Sequence, residues 1–179
     1  WGIWENYKRF KVGYCSRFDG YYLSGDGGII DEYGYVFITG RVDDLINVAG
    51  HRLSTAEMEE VVASHHSVAE CAVIGISDDL KGQIPVALVV VKAGESIENF
   101  QLEYEVVQLI RKRIGAVASL RNVIVVQRLP KTRSGKILRK LLRSIADGEN
   151  FQIPSTIDDE TIIEEIQNDF KISKLGKAI

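Results

Sequence analysis

The sequence predicts an α+β fold: a small domain with a three-stranded sheet packed by helices plus a strand pair, preceded by a β-rich segment. Two β-branched runs, Val68 to Ile76 and Val86 to Lys92, join Asn122 to Gln127 as the three strands. Apolar residues at 102, 106, 109, 110 and 114 draw the stripe of an amphipathic helix. The order strand pair, helix, strand, strand, helix, strand, loop, helix makes residues 43–148 one such domain.

The elements follow in order. Residues 1–34 are rich in aromatics and Gly and show no helical periodicity, so they read as short strands and turns. Tyr35 to Thr39 alternates like a strand, and Gly40 to Asp44 is a polar connector. Asp43 to Leu53 reads as strand-turn-strand, reversing near Ala49-Gly50, where glycine permits positive φ. Ser54 has Glu57 three residues on, the capping-box spacing, which starts a helix over about 55–65. After the third strand, a basic loop from Pro130 to Gly135 leads into a helix from Ile137 to about Ile145. Residues 149–179 form an acidic tail with one short helix, Asp159 to Phe170. The domain plan is therefore 1–42, 43–148 and 149–179.

Composition narrows the function classes. The chain has 179 residues, 22 Lys plus Arg, 25 Asp plus Glu and 45% hydrophobic content, which excludes global disorder and collagen-like structure. The longest apolar run, Ile84 to Val91, is far short of the roughly 20 residues a membrane helix needs. Two cysteines, Cys15 and Cys71, are too few for a disulfide scaffold and point to a reducing, intracellular setting. Net charge of -3 predicts no global attraction to nucleic acid or anionic lipid. Met58 is the single methionine and Trp1 comes first, so the start is expected to be internal to a longer protein.

Charge is one-sided in two blocks. No acidic residue lies between Val106 and Ala146, which hold eleven basic ones; Asp147 to Phe170 has eight acidic residues and no Lys or Arg. A basic block of this kind is either a solvated helix face or an anion site. Three clusters bear on that choice. Ser24-Gly25-Asp26 offers a carboxylate behind a glycine turn, suited to a cis-diol, and is also a common turn. Arg41 and Arg52 bracket a turn and are able to fork onto one phosphate, or to form surface ion pairs worth little. Pro130-Lys131-Thr132-Arg133-Ser134-Gly135-Lys136 places a mobile cation after a glycine at an expected helix start, where backbone donors favour anions. It lacks the first glycine of a Walker A loop.

Taken together, in this order and spacing, Gly40 to Leu53, Leu129 to Ile137 and the tail run Ile153-Pro154-Ser155-Thr156-Ile157-Asp158 resemble one family: acyl-CoA synthetases of the acetyl-CoA and propionyl-CoA type, within the acyl-adenylate-forming enzymes. The resemblance runs from about Gly20 to Ile166. It implies that residues 1–42 end a large AMP-binding N-terminal domain, and that 43–148 are the small C-terminal domain. By position it implies that Asp26, Arg41 and Arg52 bind nucleotide, that Asp43 is the hinge, and that Lys136 is the catalytic lysine of adenylate formation. Ala49, Gly50 and Arg111 fall at CoA-binding positions. A structural cation would be held mainly by main-chain carbonyls at Ala63, His65 and Val68; His65-His66 otherwise reads as a polar helix terminus.

The implied co-substrates are ATP with Mg²⁺, yielding AMP, and CoA, with a short-chain carboxylate such as acetate or propionate. The implied partners are the N-terminal domain of the same chain and an acetyltransferase and deacylase acting on Lys136, with no nucleic acid and no membrane. The implied compartment is the cytoplasm or the mitochondrial matrix. The fragment alone is expected to be inactive. Ala49 replaces a serine common in acetyl-CoA synthetases, and Ser24 a more usual threonine; the wording of 47–52 leans toward propionyl-type members. Two other readings stay open: an adenylation domain serving a carrier-protein thiol, and a non-catalytic nucleic-acid module built on the basic block. The second lacks aromatic residues in 111–143 for base stacking.

Overall fold

The computed structural model describes residues 2–118 and 120–177, apart from the side chains of Thr39 and Asp43. The chain divides into two compact units, Trp1–Asp44 and Leu45–Ile179.

The first unit holds helix α1 (Tyr7–Phe10), a π-helical turn (Lys11–Cys15) and an antiparallel pair, β1 (Asp26–Ile30) and β2 (Val36–Arg41). The helical start corrects the expectation of strands and turns over residues 1–34. Asn6 Oδ1 accepts from Arg9 N–H at 3.0 Å and caps α1. Tyr7, Phe10 and Tyr14 recur at helical spacing, with ring centroids 6.3 and 5.6 Å apart. The β1–β2 register slips at Gly27/Gly28, a bulge that re-aims the Asp26–Arg41 end. None of this unit's described side chains is buried.

The second unit is built on a five-stranded sheet. Its strands are β3 (Leu45–Val48), β4 (His51–Ser54), β5 (Val68–Asp78), β6 (Gly82–Val91) and β7 (Asn122–Val125). Four helices complete it: α2 (Thr55–Ala63), α3 (Asn99–Arg113), α4 (Arg139–Ala146) and α5 (Ile162–Ser173). β5 pairs along the length of β6, so β3 and β7 share the opposite edge of β6, at Val48–Gly82 and at Val86–Val89. The expected strand pair thus joins the three-stranded sheet through that single bridge.

Alternation sorts the core. Ala72, Ile74, Ile76, Val86 and Leu88 face α4 and α5, whereas Val73, Ala87 and Val89 face α2 and α3. Burial on both faces is why β6 reads as a continuous apolar run. The stripe of α3 is buried at Leu102, Val106 and Ile110, and α2 is capped by Ser54, whose hydroxyl accepts from Glu57 N–H at 3.4 Å.

The helix expected in the acidic tail is α5, and it is packed: Ile157, Ile162, Ile163, Ile166 and Phe170 are buried against β5, β6, β7 and α4. One expectation changes here. Lys136 is not at a helix start, because α4 begins at Arg139.

Candidate functional site

In the first unit Asp26 and Arg41 face each other across the β1–β2 pair. Arg41 Nη1 donates to Asp26 Oδ1 at 3.3 Å and to the Ser24 carbonyl at 2.8 Å. Gly25 makes this possible: a Cβ there would lie 2.8 Å from Arg41 Nη2. Asp43 falls in the short 3₁₀ turn Val42–Asp44 at the unit boundary; its side chain lies outside the described part.

The second unit carries the other residues. Ala49 and Gly50 form the two-residue tip between β3 and β4, with φ +48° and +87°, the primed turn that matches strand twist. Both are exposed, and nothing lies within 4 Å of a Cβ built on Gly50. Ala49 N–H donates to the Lys81 carbonyl at 2.9 Å, which seats the tip at the beginning of β6. Arg52 is exposed on β4, opposite Asn47. Arg111 closes α3 beside a cleft of about 230 Å³ that Arg121, Gly115 and Ala116 also line.

Lys136 lies on the return limb of a tight loop. Lys131 pairs with Ile137 across the loop, Thr132 N–H donates to the Lys136 carbonyl at 2.8 Å, and Lys136 N–H donates to Thr132 Oγ1 at 3.1 Å. Gly135, at φ +82°, makes the reversal. The loop therefore presents Arg133 and Lys136 as exposed cations, rather than at the helix terminus that the spacing suggested. Lys131 Nζ meets Glu70 of β5 at 2.6 Å, and Arg139 forks onto Glu59 of α2 at 2.8 and 2.6 Å. Both stems of the loop are thus pinned by carboxylates.

These anchors separate the two motifs. Glu70 and the Asp78–Gly82 pair are eight residues apart on β5, roughly 26 Å at 3.3 Å per residue. The Ala49–Gly50 tip sits at one end of the sheet and the stem of the Lys136 loop is anchored at the other.

The cation expected at Ala63, His65 and Val68 would sit where α2 turns into β5. The buried imidazole of His65 accepts from Ser67 N–H at Nδ1 (3.3 Å), so its proton sits on Nε2, which donates to Glu105 at 2.8 Å. Gln101 and then His65 hold the Glu105 carboxyl below its ordinary value. His65, His66 and Glu105 each offer a ligand atom within 4.8 Å of one another, close enough to share a metal. Oxygen donors fit a hard cation better, and the His65 carbonyl, which accepts from Val68 N–H at 3.1 Å, retains a second lone pair. Burial, and then the Glu59 carboxylate, push the Cys71 thiol up to about 11, which keeps it protonated at neutral pH.

Sequence reasoning missed Arg128, Glu59 and Glu70. The signal was there in the opposed charge blocks, since Arg128 of the basic block holds Asp159 and Glu165 of the acidic one at 2.6 and 2.7 Å. Part of the basic block is thus spent on ion pairs with the acidic one. No helix among the described residues is long and apolar enough to cross a membrane.

Residues 57–136 match the family model described as the AMP-binding enzyme C-terminal domain. Over 97% of its length the chain is 56% identical to an uncharacterised protein of Pseudomonas aeruginosa, covering 28% of that protein. It is 45% identical over 95% of its length to the human mitochondrial acyl-CoA synthetase short-chain family member 3, covering 25% of it. The solved structure of ATP-bound MatB from Rhodopseudomonas palustris matches 80% of this chain and 27% of its own, with 31% identity and a TM-score of 0.64. The chain spans about a quarter of the length of these relatives. Residues 57–136, within the second unit, thus carry an AMP-binding enzyme C-terminal domain, and the chain's relatives include acyl-CoA synthetases of the kind its motifs resemble.

Proposed function

We propose that this chain is the C-terminal part of a synthetase that joins a short-chain carboxylate such as acetate or propionate to CoA at the expense of ATP. In the first half-reaction a carboxylate oxygen attacks the α-phosphorus of Mg²⁺-bound ATP, the bond to the bridging oxygen breaks, and diphosphate leaves. Lys136 offsets the charge that develops on the α-phosphate, while Asp26 takes the ribose hydroxyls and Arg41 and Arg52 the ribose and phosphate. A cation at about 4 Å in an effective dielectric near 20 contributes on the order of 4 kcal/mol before desolvation. In the second half-reaction the CoA thiolate attacks the acyl carbonyl and AMP leaves. Ala49 and Gly50 line the thiol's approach, and Arg111 meets CoA phosphate at the rim of its cleft. The main-chain carbonyls of Ala63, His65 and Val68 would hold a hard cation that braces the end of α2. Lys136 is exposed, so an acetyltransferase able to reach it would silence the first half-reaction and a deacylase would restore it.

The observation that carries this reading is the roughly 26 Å of sheet between the anchors of the Lys136 loop and of the glycine tip. Two loops so placed serve one nucleotide in turn if the domain rotates about Asp43 between the steps. In the full-length enzyme, Lys136→Ala should cut adenylate formation by 10²-fold or more, on the order of a few kcal/mol of transition-state stabilisation, and spare thioesterification of supplied acyl-adenylate. Gly50→Leu should do the reverse, with a thermal melt to separate blocked approach from the strain a side chain meets at φ +87°. Equal damage to both halves by both variants would end the two-task assignment.

A further inference from the structure

The segment after α4 is built into the Lys136 loop. Thr132 pairs with Ile157; Arg133 N–H donates to the Thr156 carbonyl at 3.0 Å and Asp158 N–H to the Lys131 carbonyl at 2.9 Å. Residues 156–158 therefore form an outer strand against residues 131–133, the limb of the loop opposite Lys136. The next residue, Asp159, is gripped by Arg128, which lies three residues before Lys131.

This segment takes four of the five N–H donors of Arg128. Its Nη1 donates to Asp159 Oδ2 at 2.6 Å and its Nη2 to Thr161 Oγ1 at 2.8 Å. Its Nε and Nη2 also fork onto Glu165 at 3.0 and 2.7 Å. Asp159 in turn accepts from Thr161 N–H and Oγ1 at 2.9 and 2.8 Å through its other oxygen, just ahead of α5. A lone exposed pair would be worth little; a bidentate fork within a four-residue network fixes geometry as well. The start of α5 and the segment at 156–158 are thereby tied to the chain leading into the lysine loop.

We propose that residues 156–165 are a strap that holds the Lys136 loop in its reactive shape, and that Arg128 is the positioning residue that fastens it. Arg128 touches no substrate in this proposal. It acts through the ladder at 131–133, which sets where the return limb, and so the Lys136 ammonium, points. The inference rests on the reading of Lys136 as the adenylation lysine.

The test compares Arg128→Gln, Arg128→Lys and Lys136→Ala in the full-length enzyme. It measures the two half-reactions separately, with amide exchange at residues 131–137 and a thermal melt. Arg128→Gln should slow adenylate formation about tenfold to a hundredfold, as a small misplacement of a catalytic group does, and leave thioesterification of supplied adenylate within about twofold. Exchange at Thr132, Gly135 and Lys136 should quicken by about tenfold as the strap loosens. Arg128→Lys should recover only part of the rate, since one ammonium does not span three partners. An unchanged adenylation rate despite faster exchange, or equal loss in both half-reactions, overturns the strap. If Lys136→Ala keeps adenylation, the underlying reading fails whatever Arg128 does; if only Arg128→Gln keeps it, the strap alone fails.

Discussion

Gly75 shows how closely the sheet is drawn at a single residue. It lies mid-strand in β5 opposite Pro85, and a Cβ added there would come 2.8 Å from Cγ2 of Ile46, itself fully buried on β3. Ile46 has no free volume to retreat into, so the methyl forces strand β3 outward. Gly75→Ala should destabilise the second unit by about 1–3 kcal/mol, seen as a lower urea midpoint with unchanged slope. A neutral result would mean that the β3 edge is more compliant than its packing implies. Since β3 carries the Ala49–Gly50 tip, the same variant should also disturb the second half-reaction more than the first.

At the scale of elements, charge decides how the C-terminal segment is held. Arg128 first, then the N–H and O–H of Thr161, pull the Asp159 carboxyl from its ordinary 3.8 down to about 2. Arg128 likewise holds Glu165 below its ordinary value, and both carboxylates raise Arg128 in return. A carboxyl depressed on folding stabilises the fold fully above its unfolded value and loses that contribution as pH falls through the folded one. The strap's share should therefore be constant from pH 7 to about 5 and fade between about pH 4 and 2. Denaturant midpoints across that range should fall more steeply for the native protein than for Arg128→Gln; parallel curves would show the network to be thermodynamically idle.

The same elements mark what the sequence made legible. Runs buried on both faces announce themselves, so β5, β6 and the stripe of α3 were readable from pattern alone. The helical start at Tyr7 was not, because its signal is three aromatics at helical spacing inside a glycine-rich stretch. The start of α4 was misplaced since Gly135-Lys136 has the local chemistry of a helix terminus, whereas Ile157, 25 residues beyond Thr132, draws the limb containing Thr132 into a bridge. The motif residues could be named in order, and Asp26 and Arg41 do meet. Arg128, with partners 31 and 37 residues away, is a contact that only the folded chain brings together.

For the molecule as a whole, the segment from Phe151 to Leu175 belongs to the domain's core packing. Ending the chain after Asn150 would strip Ile157, Ile162, Ile163, Ile166 and Phe170 from one face of the sheet and bare Ile74, Ile76 and Leu88. Loss of Phe170 alone costs about 3–5 kcal/mol, and total stability of a domain is only about 5–15. The truncated chain should lose its cooperative thermal transition and bind a hydrophobic dye at neutral pH. A sharp transition near that of the intact chain would show that α5 is dispensable.

The paired strands β5 and β6 act as a stiff beam with a lysine fastened near one end and a bare glycine turn at the other. On the proposed assignment, whatever tips the first toward the nucleotide lifts the second away. The intermediate is then shielded from thiol for as long as the lysine is seated, and a compound that wedges either end down should silence the opposite step without touching it.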